Sequence, residues 1–184
     1  MSFQKLAESR ASVRKYSNKK PRIEEVIKCI DVANLAPSPG NLPILRFIIV
    51  EDHHKIAKIA EACQQEFIKQ AKILVVVCSD LKDAKIMYDK RASRYVKQHA
   101  GALIENFLLN VVDIGLASCW VGAYSDSMIK DILEIPDEID IEAVLPVGCS
   151  FGEIKHRKKP NIENRLYFET WKNKFRKPFP KMTD

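Results

Sequence analysis

Residues 103–124 read LIENFLLNVVDIGLASCWVGAY, and this stretch carries most of the information about the fold. Apolar side chains recur in it at helical spacing until Gly115, which stands where a helix C-cap is expected. Ala117–Val121 is a candidate strand, and the small residue Gly122 lets a ligand approach the backbone. The stretch predicts a long buried helix over about 93–114, then a strand and a ligand-facing loop.

The sequence on either side alternates between helix and strand patterns. Residues 22–36 predict an amphipathic helix that Pro37 ends. The β-branched runs at 47–50 and 73–77 lack polar alternation, which is typical of strands buried on both faces. A second helix lies between these runs, and a short helix and a strand follow residue 124 at about 127–133 and 143–147. This order predicts an α/β or α+β fold.

The composition is that of one folded domain over residues 1–184, with 46% hydrophobic and 29% charged residues. No apolar run approaches the roughly 20 residues that cross a bilayer, so no membrane association is expected. The N-terminus lacks the pattern of a secretory signal. We therefore predict a cytoplasmic protein.

The five cysteines, at positions 29, 63, 78, 119 and 149, are odd in number and contain no Cys-x-x-Cys spacing. Neither a disulfide framework nor a metal site is indicated. Buried, reduced thiols are the expected state. A reactive thiol at Cys119 is the alternative, because this residue precedes the glycine-containing loop.

The net charge of +6 is concentrated near the C-terminus, where Lys and Arg outnumber Asp and Glu by ten to three from Lys155 onward. No helix-turn-helix, RNA-recognition or zinc-finger pattern accompanies these cations. The charge distribution therefore favours a solvated tail or a small anionic ligand over nucleic acid.

Two further segments carry residues suited to ligand binding. In an extended chain Arg10, Ser12 and Arg14 project to one face, where two guanidinium groups and a hydroxyl suit a phosphate or a delocalised anion. The second segment, Ala36–Asn41, is a rigid loop with two prolines and a glycine that presents backbone groups. Each segment alone is also compatible with an ordinary turn.

Taken in order, these segments resemble the nitroreductase family of flavoproteins over nearly the whole chain. The matching motifs are Arg-x-Ser-x-Arg-x-Tyr at 10–16, Ala-Pro-Ser-x-x-Asn at 36–41, Glu-Asn-Phe-Leu-Leu at 105–109, the segment 115–124, Leu-Pro-Val-Gly at 145–148 and the basic segment before Pro160. The resemblance implies an α+β fold with a mixed central sheet, built as an intertwined homodimer that binds FMN at two subunit interfaces. It also implies that an arm, residues 160–184 with Tyr167, Phe168, Trp171 and Phe175, docks on the partner subunit.

The resemblance implies four groups of flavin-binding residues. Arg10, Ser12 and Arg14 would meet the phosphate, ribityl chain and pyrimidine edge of FMN, and a late basic pair would neutralise the phosphate. A loop of the other subunit would approach the flavin, and residues 120–123 would line its buried face, with a backbone amide near N5. The late basic pair is Arg157 and Lys159, the loop residues are Pro37, Ser38, Pro39 and Asn41, and the residues on the buried face are Trp120, Val121, Gly122 and Ala123. Gln64 or Gln65 is a candidate contact of the pyrimidine carbonyls, and an ordinary glutamine on a helix surface is the alternative.

The implied activity is that of an FMN-dependent oxidoreductase that passes electrons from NADH or NADPH to small electrophiles such as nitroarenes or quinones by a ping-pong mechanism. Because the cofactor performs the hard chemistry, no catalytic side chain is predicted. There are two alternatives. One is specialised flavin chemistry, such as reductive dehalogenation or flavin breakdown, and the other is a non-enzymatic flavin-binding or regulatory protein.

The chain departs from the family pattern after Leu42, where Pro43-Ile44-Leu45 stands in place of the Gln-Pro-Trp of the usual Asn-x-Gln-Pro-Trp loop. It also has no evident insertion that would cover the flavin cavity. Residues 82–97 are the best candidates for that cover, and their many Lys and Arg residues predict an open, cationic rim.

Overall fold

The fold is organised around one strand that is buried at every residue but its last. The computed structural model describes residues 1–156 and 158–174. In it, β2 (Ile73–Asp80) pairs with β1 (Leu45–Val50) on one side and with β4 (Ile139–Gly148) on the other. The two-residue β3 (Ala117–Ser118) pairs with the far edge of β4, which gives the strand order β1-β2-β4-β3.

Helices cover both faces of this sheet. In the described part of the chain they are α1 (Phe3–Ser9), α2 (Ile23–Ala33), α3 (His53–Ala62), α4 (Lys82–Tyr88), α5 (Ala92–Asp113) and α6 (Asp126–Leu133). Local signals set several of their ends: the Asp52 carboxylate accepts a hydrogen bond from the Lys55 amide at the start of α3, and Gly115 follows α5 with a φ of +79°.

The side chains of β2 are divided between two hydrophobic clusters, because successive residues of a strand point to opposite faces. Leu74 and Val76 belong to a cluster with residues of α3 and α6. Ile73, Val75 and Val77 belong to a second cluster with residues of α2 and α5. Helices therefore pack against both faces of the central strand.

The predicted α+β class is confirmed, and the structure refines the sheet. The three strand pairings among the described residues are antiparallel, so the mixed character expected of the sheet is not seen within them. The strand predicted over Ala117–Val121 is shorter, because the chain leaves the ladder after Ser118 and Val121 returns only as an isolated bridge to Val144. Burial on both faces is wrong for β1, an edge strand with a partly exposed centre.

Residues 82–97, the predicted cover, are helical. They form α4, a 3-10 turn at Asp89–Arg91 and the first turns of α5. The turn is reached through an unusual backbone conformation at Asp89, with φ at 45° and ψ at −122°. The predicted cover therefore consists of short helical segments.

The predicted arm begins with a 3-10 turn at Glu163–Arg165, after which Tyr167 stacks on Trp171 with ring centroids 4.4 Å apart. Trp171 remains 80% exposed within the protomer. Phe175 and the rest of the arm lie outside the described residues. No helix in the described part of the chain is long and apolar enough to cross a membrane, and the cytoplasmic location stays a prediction.

Candidate functional site

The segment from Arg10 to Lys15 is extended and lies beside β3 and the end of β4. The Val13 amide donates a hydrogen bond to the Ser118 carbonyl, at 3.0 Å. The Phe151 amide donates to the Lys15 carbonyl, also at 3.0 Å. These two bonds attach the segment to parts of the chain more than a hundred residues later, so its side chains are presented from the body of the protein.

Tyr16 anchors the end of this segment. Its hydroxyl lies 2.9 Å from the Val13 carbonyl oxygen and 3.2 Å from that of Pro146. Burial raises the pKa of Tyr16, so the phenol keeps its proton and donates to these carbonyls. A Cβ atom on Gly148 would come within 2.7 Å of Tyr16 Cδ1. Glycine is required at this position because the aromatic ring packs directly against the backbone.

A cavity of about 540 Å³ lies between the Arg10–Lys15 segment and the chain after β4. Five Lys or Arg side chains and a single carboxylate, that of Glu153, line it among the described residues. The lining consists of Arg10, Ala11, Ser12, Val13, Arg14, Lys15, Ser150, Phe151, Glu153, Ile154, Lys155, His156 and Lys159. We call it the cationic cavity. The predicted residues Arg10, Ser12, Arg14 and Lys159 are therefore brought together.

The two arginines of the cationic cavity differ in their surroundings. The Arg10 guanidinium pairs with the Glu105 carboxylate, with 3.2 Å between Nε and Oε1. Arg14 makes no ion pair with a described residue, and its guanidinium carbon lies 5.8 Å from the centroid of the Phe67 ring. The charge of Arg14 is consequently the more available for an anionic ligand.

Cys119 lies close to Ser12 and Arg14. Burial raises the pKa of its thiol, although Arg14 and a hydrogen bond with Ser12 act in the opposite direction. The protonated thiol is therefore favoured, which supports the buried, unreactive state for this cysteine. All five cysteines are free, and no group of three potential metal ligands occurs in residues 1–156 and 158–174.

A second cavity, of about 480 Å³, lies where the loop after α2 meets α4 and α5. Its lining is Pro37, Ser38, Pro39, Tyr88, Tyr95, Gln98, His99 and Ala102. We call it the loop cavity. No residue lines both cavities, so a single chain holds two separate groups of the predicted site residues.

The loop that borders this cavity is held in place from both sides. Gly40 has a φ of +58°, and a Cβ atom there would lie 2.7 Å from Met87 Sδ and 2.8 Å from the Tyr88 hydroxyl. On the other side, His99 Nδ1 is 2.9 Å from the Pro37 carbonyl oxygen. Tyr88 also packs edge-to-face with Tyr95, with ring centroids 5.1 Å apart.

The remaining predicted site residues lie outside the linings of both cavities. Asn41 is exposed at the end of the loop, and Gln64 is exposed after α3 with a φ of 52°. Of the segment after β3, Val121 is buried and Trp120 is 39% exposed, and Gly122 and Ala123 are exposed beside them. The remaining predicted residue, Arg157, is outside the described residues.

Sequence reasoning missed two buried polar residues near these cavities. His99 is 5% exposed on the buried face of α5, and Ser118 is 3% exposed with no hydrogen-bond partner for its hydroxyl among the described residues. A signal existed for His99, because it interrupts an apolar face between Val96 and Leu103. No such signal existed for Ser118, because a serine in a short strand does not by itself indicate a buried, unpaired hydroxyl.

The chain was compared with known proteins. The model of the nitroreductase family matches residues 7–69 and 59–149. An Archaeoglobus fulgidus protein with the provisional name NADH dehydrogenase/NAD(P)H nitroreductase is 31% identical over 177 residues, which covers 91% of this chain and 97% of that protein. An iodotyrosine deiodinase of Thermotoga neapolitana is 26% identical, with coverages of 78% and 86%.

The fold is also found in solved structures. An FMN-dependent nitroreductase from Clostridium difficile R20291 superposes with a TM-score of 0.77 at 22% sequence identity, covering 90% of this chain and 98% of that one. A structural similarity at 22% sequence identity is evidence for the fold and for nothing further. Together with the match of the family model over most of the sequence, these comparisons show that the chain belongs to the nitroreductase family.

Proposed function

We propose that the protein is an FMN-dependent oxidoreductase that takes electrons from NADH or NADPH and passes them to small electrophiles, such as nitroarenes or quinones, by a ping-pong mechanism. The observation that carries this proposal is the cationic cavity, with its five Lys or Arg side chains. A phosphate monoester is close to dianionic at pH 7, and charge-assisted N–H donors bind such a group strongly. The family membership of the chain supports the same conclusion.

The residues of the cationic cavity fit the chemistry of FMN. Arg14 and Lys159 are free of ion pairs with described residues and would neutralise the phosphate, together with Arg157. Arg10 and Ser12 would hold the ribityl chain and the electron-rich pyrimidine edge. When bound, FMN would supply the hydride-accepting and hydride-donating chemistry. No side-chain acid or base is assigned, because the roles of these residues are binding and orientation.

The segment after β3 begins next to these residues, because the Ser118 carbonyl accepts the hydrogen bond of the Val13 amide. We propose that residues 120–123 line the buried face of the flavin, with a backbone amide near N5. Trp120 would supply a planar surface, and the small Gly122 would permit close approach. We also retain Gln64 as a candidate for the pyrimidine carbonyls.

We further propose that the complete site forms in a homodimer. Pro37, Ser38 and Pro39 line a cavity that shares no residue with the cationic cavity. In the dimer this loop, with Asn41, would approach the flavin held by the other protomer. The exposed Trp171 in the arm needs an apolar surface to cover it, which the partner would provide.

Truncation after Pro160 is expected to convert the dimer into monomer or aggregate and to reduce flavin retention. Burial of each large aromatic side chain contributes roughly 1.5–3 kcal/mol, and the truncation removes Tyr167, Phe168, Trp171 and Phe175. Light scattering coupled to gel filtration measures the mass of each species. A truncated chain that stayed dimeric and kept its flavin would contradict the role given to the arm.

The purified protein is expected to be yellow and to lose its visible absorption when NADH or NADPH is added anaerobically. An added nitroarene or quinone should then re-oxidise the reduced flavin. Parallel lines in double-reciprocal plots of the initial velocity would support the ping-pong mechanism. A protein that stayed colourless after incubation with FMN would contradict the proposed function. Flavin that stayed oxidised with both nicotinamides would instead favour the non-enzymatic alternative.

One comparison favours reductive dehalogenation as a second candidate, since a relative is named as an iodotyrosine deiodinase. A zwitterionic amino acid needs both a cation and an anion for its recognition. The described lining of the loop cavity contains no Lys, Arg, Asp or Glu side chain. Nitroarene and quinone reduction is therefore the better-supported activity, and turnover of a halotyrosine at a higher kcat/KM than any nitroarene or quinone would reverse this order.

A further inference from the structure

His99 presents a hydrogen-bonding group of fixed polarity. Its Nδ1 lies 2.9 Å from the Pro37 carbonyl oxygen, and a carbonyl oxygen only accepts hydrogen bonds. Nδ1 therefore carries a proton. Burial lowers the pKa of His99 below its usual value, which keeps the ring neutral near pH 7. A neutral ring protonated on Nδ1 has only a lone pair on Nε2.

The second ring nitrogen, Nε2, is the hydrogen-bonding atom that His99 has left for a ligand. Nε2 makes no hydrogen bond to a described residue. His99 lines the loop cavity, and the Nδ1 side of its ring faces Pro37. Because Nδ1 is already used by Pro37, the group that His99 has available for a ligand in this cavity is the acceptor Nε2.

The other polar side chains of the cavity can adapt to either kind of ligand group. The hydroxyls of Ser38, Tyr88 and Tyr95 and the amide of Gln98 each donate or accept. The rest of the lining is apolar, and the Tyr88–Tyr95 pair adds aromatic surface suited to a flat molecule. Of the side chains that line this cavity in the described protomer, His99 alone discriminates by hydrogen-bond polarity.

We infer that His99 is a specificity-determining residue, which selects planar aromatic acceptors with a hydroxyl or N–H group that donates to Nε2. This inference rests on the proposed function, in which the loop cavity of one protomer adjoins the flavin of the other. A ligand without a donor would leave Nε2 desolvated and unpaired, and buried groups of this kind are what allow a site to reject an analogue.

Two acceptors of nearly equal shape test the inference: 4-nitrobenzyl alcohol, which donates a hydrogen bond, and 4-nitrobenzyl methyl ether, which does not. We expect kcat/KM for the alcohol to exceed that for the ether by about tenfold. The dissociation constants of the oxidised holoprotein, measured without nicotinamide from the flavin absorbance, should differ in the same direction. Equal values for both compounds would overturn the inference and leave the proposed function intact. Failure to reduce either compound with NADH or NADPH would count against the proposed function.

Three variants test whether His99 is the residue that causes the preference for the alcohol over the ether. His99→Phe keeps an aromatic ring without nitrogen and should bring the ratio of the two acceptors close to one. His99→Gln can donate to Pro37 and accept from the ligand, so it should restore the preference. Gln98→Leu, at the neighbouring cavity position, should retain the preference. Loss of the preference in Gln98→Leu, with its retention in His99→Phe, would overturn the assignment. If His99→Phe fails to fold, the comparison of the alcohol with the ether in the unmodified protein still tests the inference.

Discussion

Replacement of Arg14 by alanine is expected to weaken FMN binding by tenfold or more. The guanidinium lines the cationic cavity and makes no ion pair with a described residue. The variant would therefore lose a charge-assisted hydrogen bond to the ligand, worth roughly 1.5–3 kcal/mol. Equilibrium titration of the apoprotein with FMN, followed by quenching of flavin fluorescence, measures the change.

Two further variants make this result specific. Lys58→Ala removes a cation from the exposed surface of α3, outside the cavity lining, and should leave FMN affinity unchanged. Arg14→Lys keeps the charge but loses the planar donor fork, so it should fall between the wild type and Arg14→Ala. If Arg14→Ala bound FMN as tightly as Lys58→Ala, the cationic cavity would not be the phosphate site.

Replacement of Gly148 by alanine is expected to lower the melting temperature by about 5 °C and to weaken FMN binding as well. The new methyl group would lie 2.7 Å from Tyr16 Cδ1, so the ring must move. Overpacking of this kind costs typically 1–3 kcal/mol, and each kcal/mol corresponds to about 2–4 °C in a chain of this size. Displacement of Tyr16 also disturbs Val13 and Arg14, which precede it.

A double-mutant cycle isolates the contact. In a Tyr16→Ala background the methyl group at position 148 meets no ring, so Gly148→Ala should cause little further loss of stability. Calorimetric melting of the four proteins gives the coupling. Additive losses in the double variant would show that Gly148 is required for a reason other than contact with Tyr16.

Much of the fold could be predicted because its elements have long or uninterrupted apolar patterns. The longest helix was expected over about 93–114 and is observed at Ala92–Asp113, since many apolar residues fix its period. The strand after it was predicted too long. Ala117–Val121 is apolar except for Ser118, and composition cannot show where a chain leaves its ladder, because that depends on the partner strand.

The candidate site could be predicted in part, because the spacing of nearby residues indicates which side chains share a face. The two-residue spacing of Arg10, Ser12 and Arg14 indicated a shared face, and the structure places all three on one cavity. The association of Lys159 with them followed from family resemblance, because spacing carries no information across so long a separation. His99 was missed because its role depends on a contact with the Pro37 carbonyl in another loop.

The central position of β2 also has a consequence for how the chain is made. Translation produces Ile73–Asp80 soon after β1, its neighbour on one side, whereas β4, its neighbour on the other side, is not complete until Gly148. During that interval a strand of five consecutive apolar residues, Ile73–Val77, has one edge without its native partner. The nascent protein is therefore most exposed to aggregation between the synthesis of its second and its last strand-forming segments, β2 and β4, and β4 ends this interval by pairing with the free edge of β2.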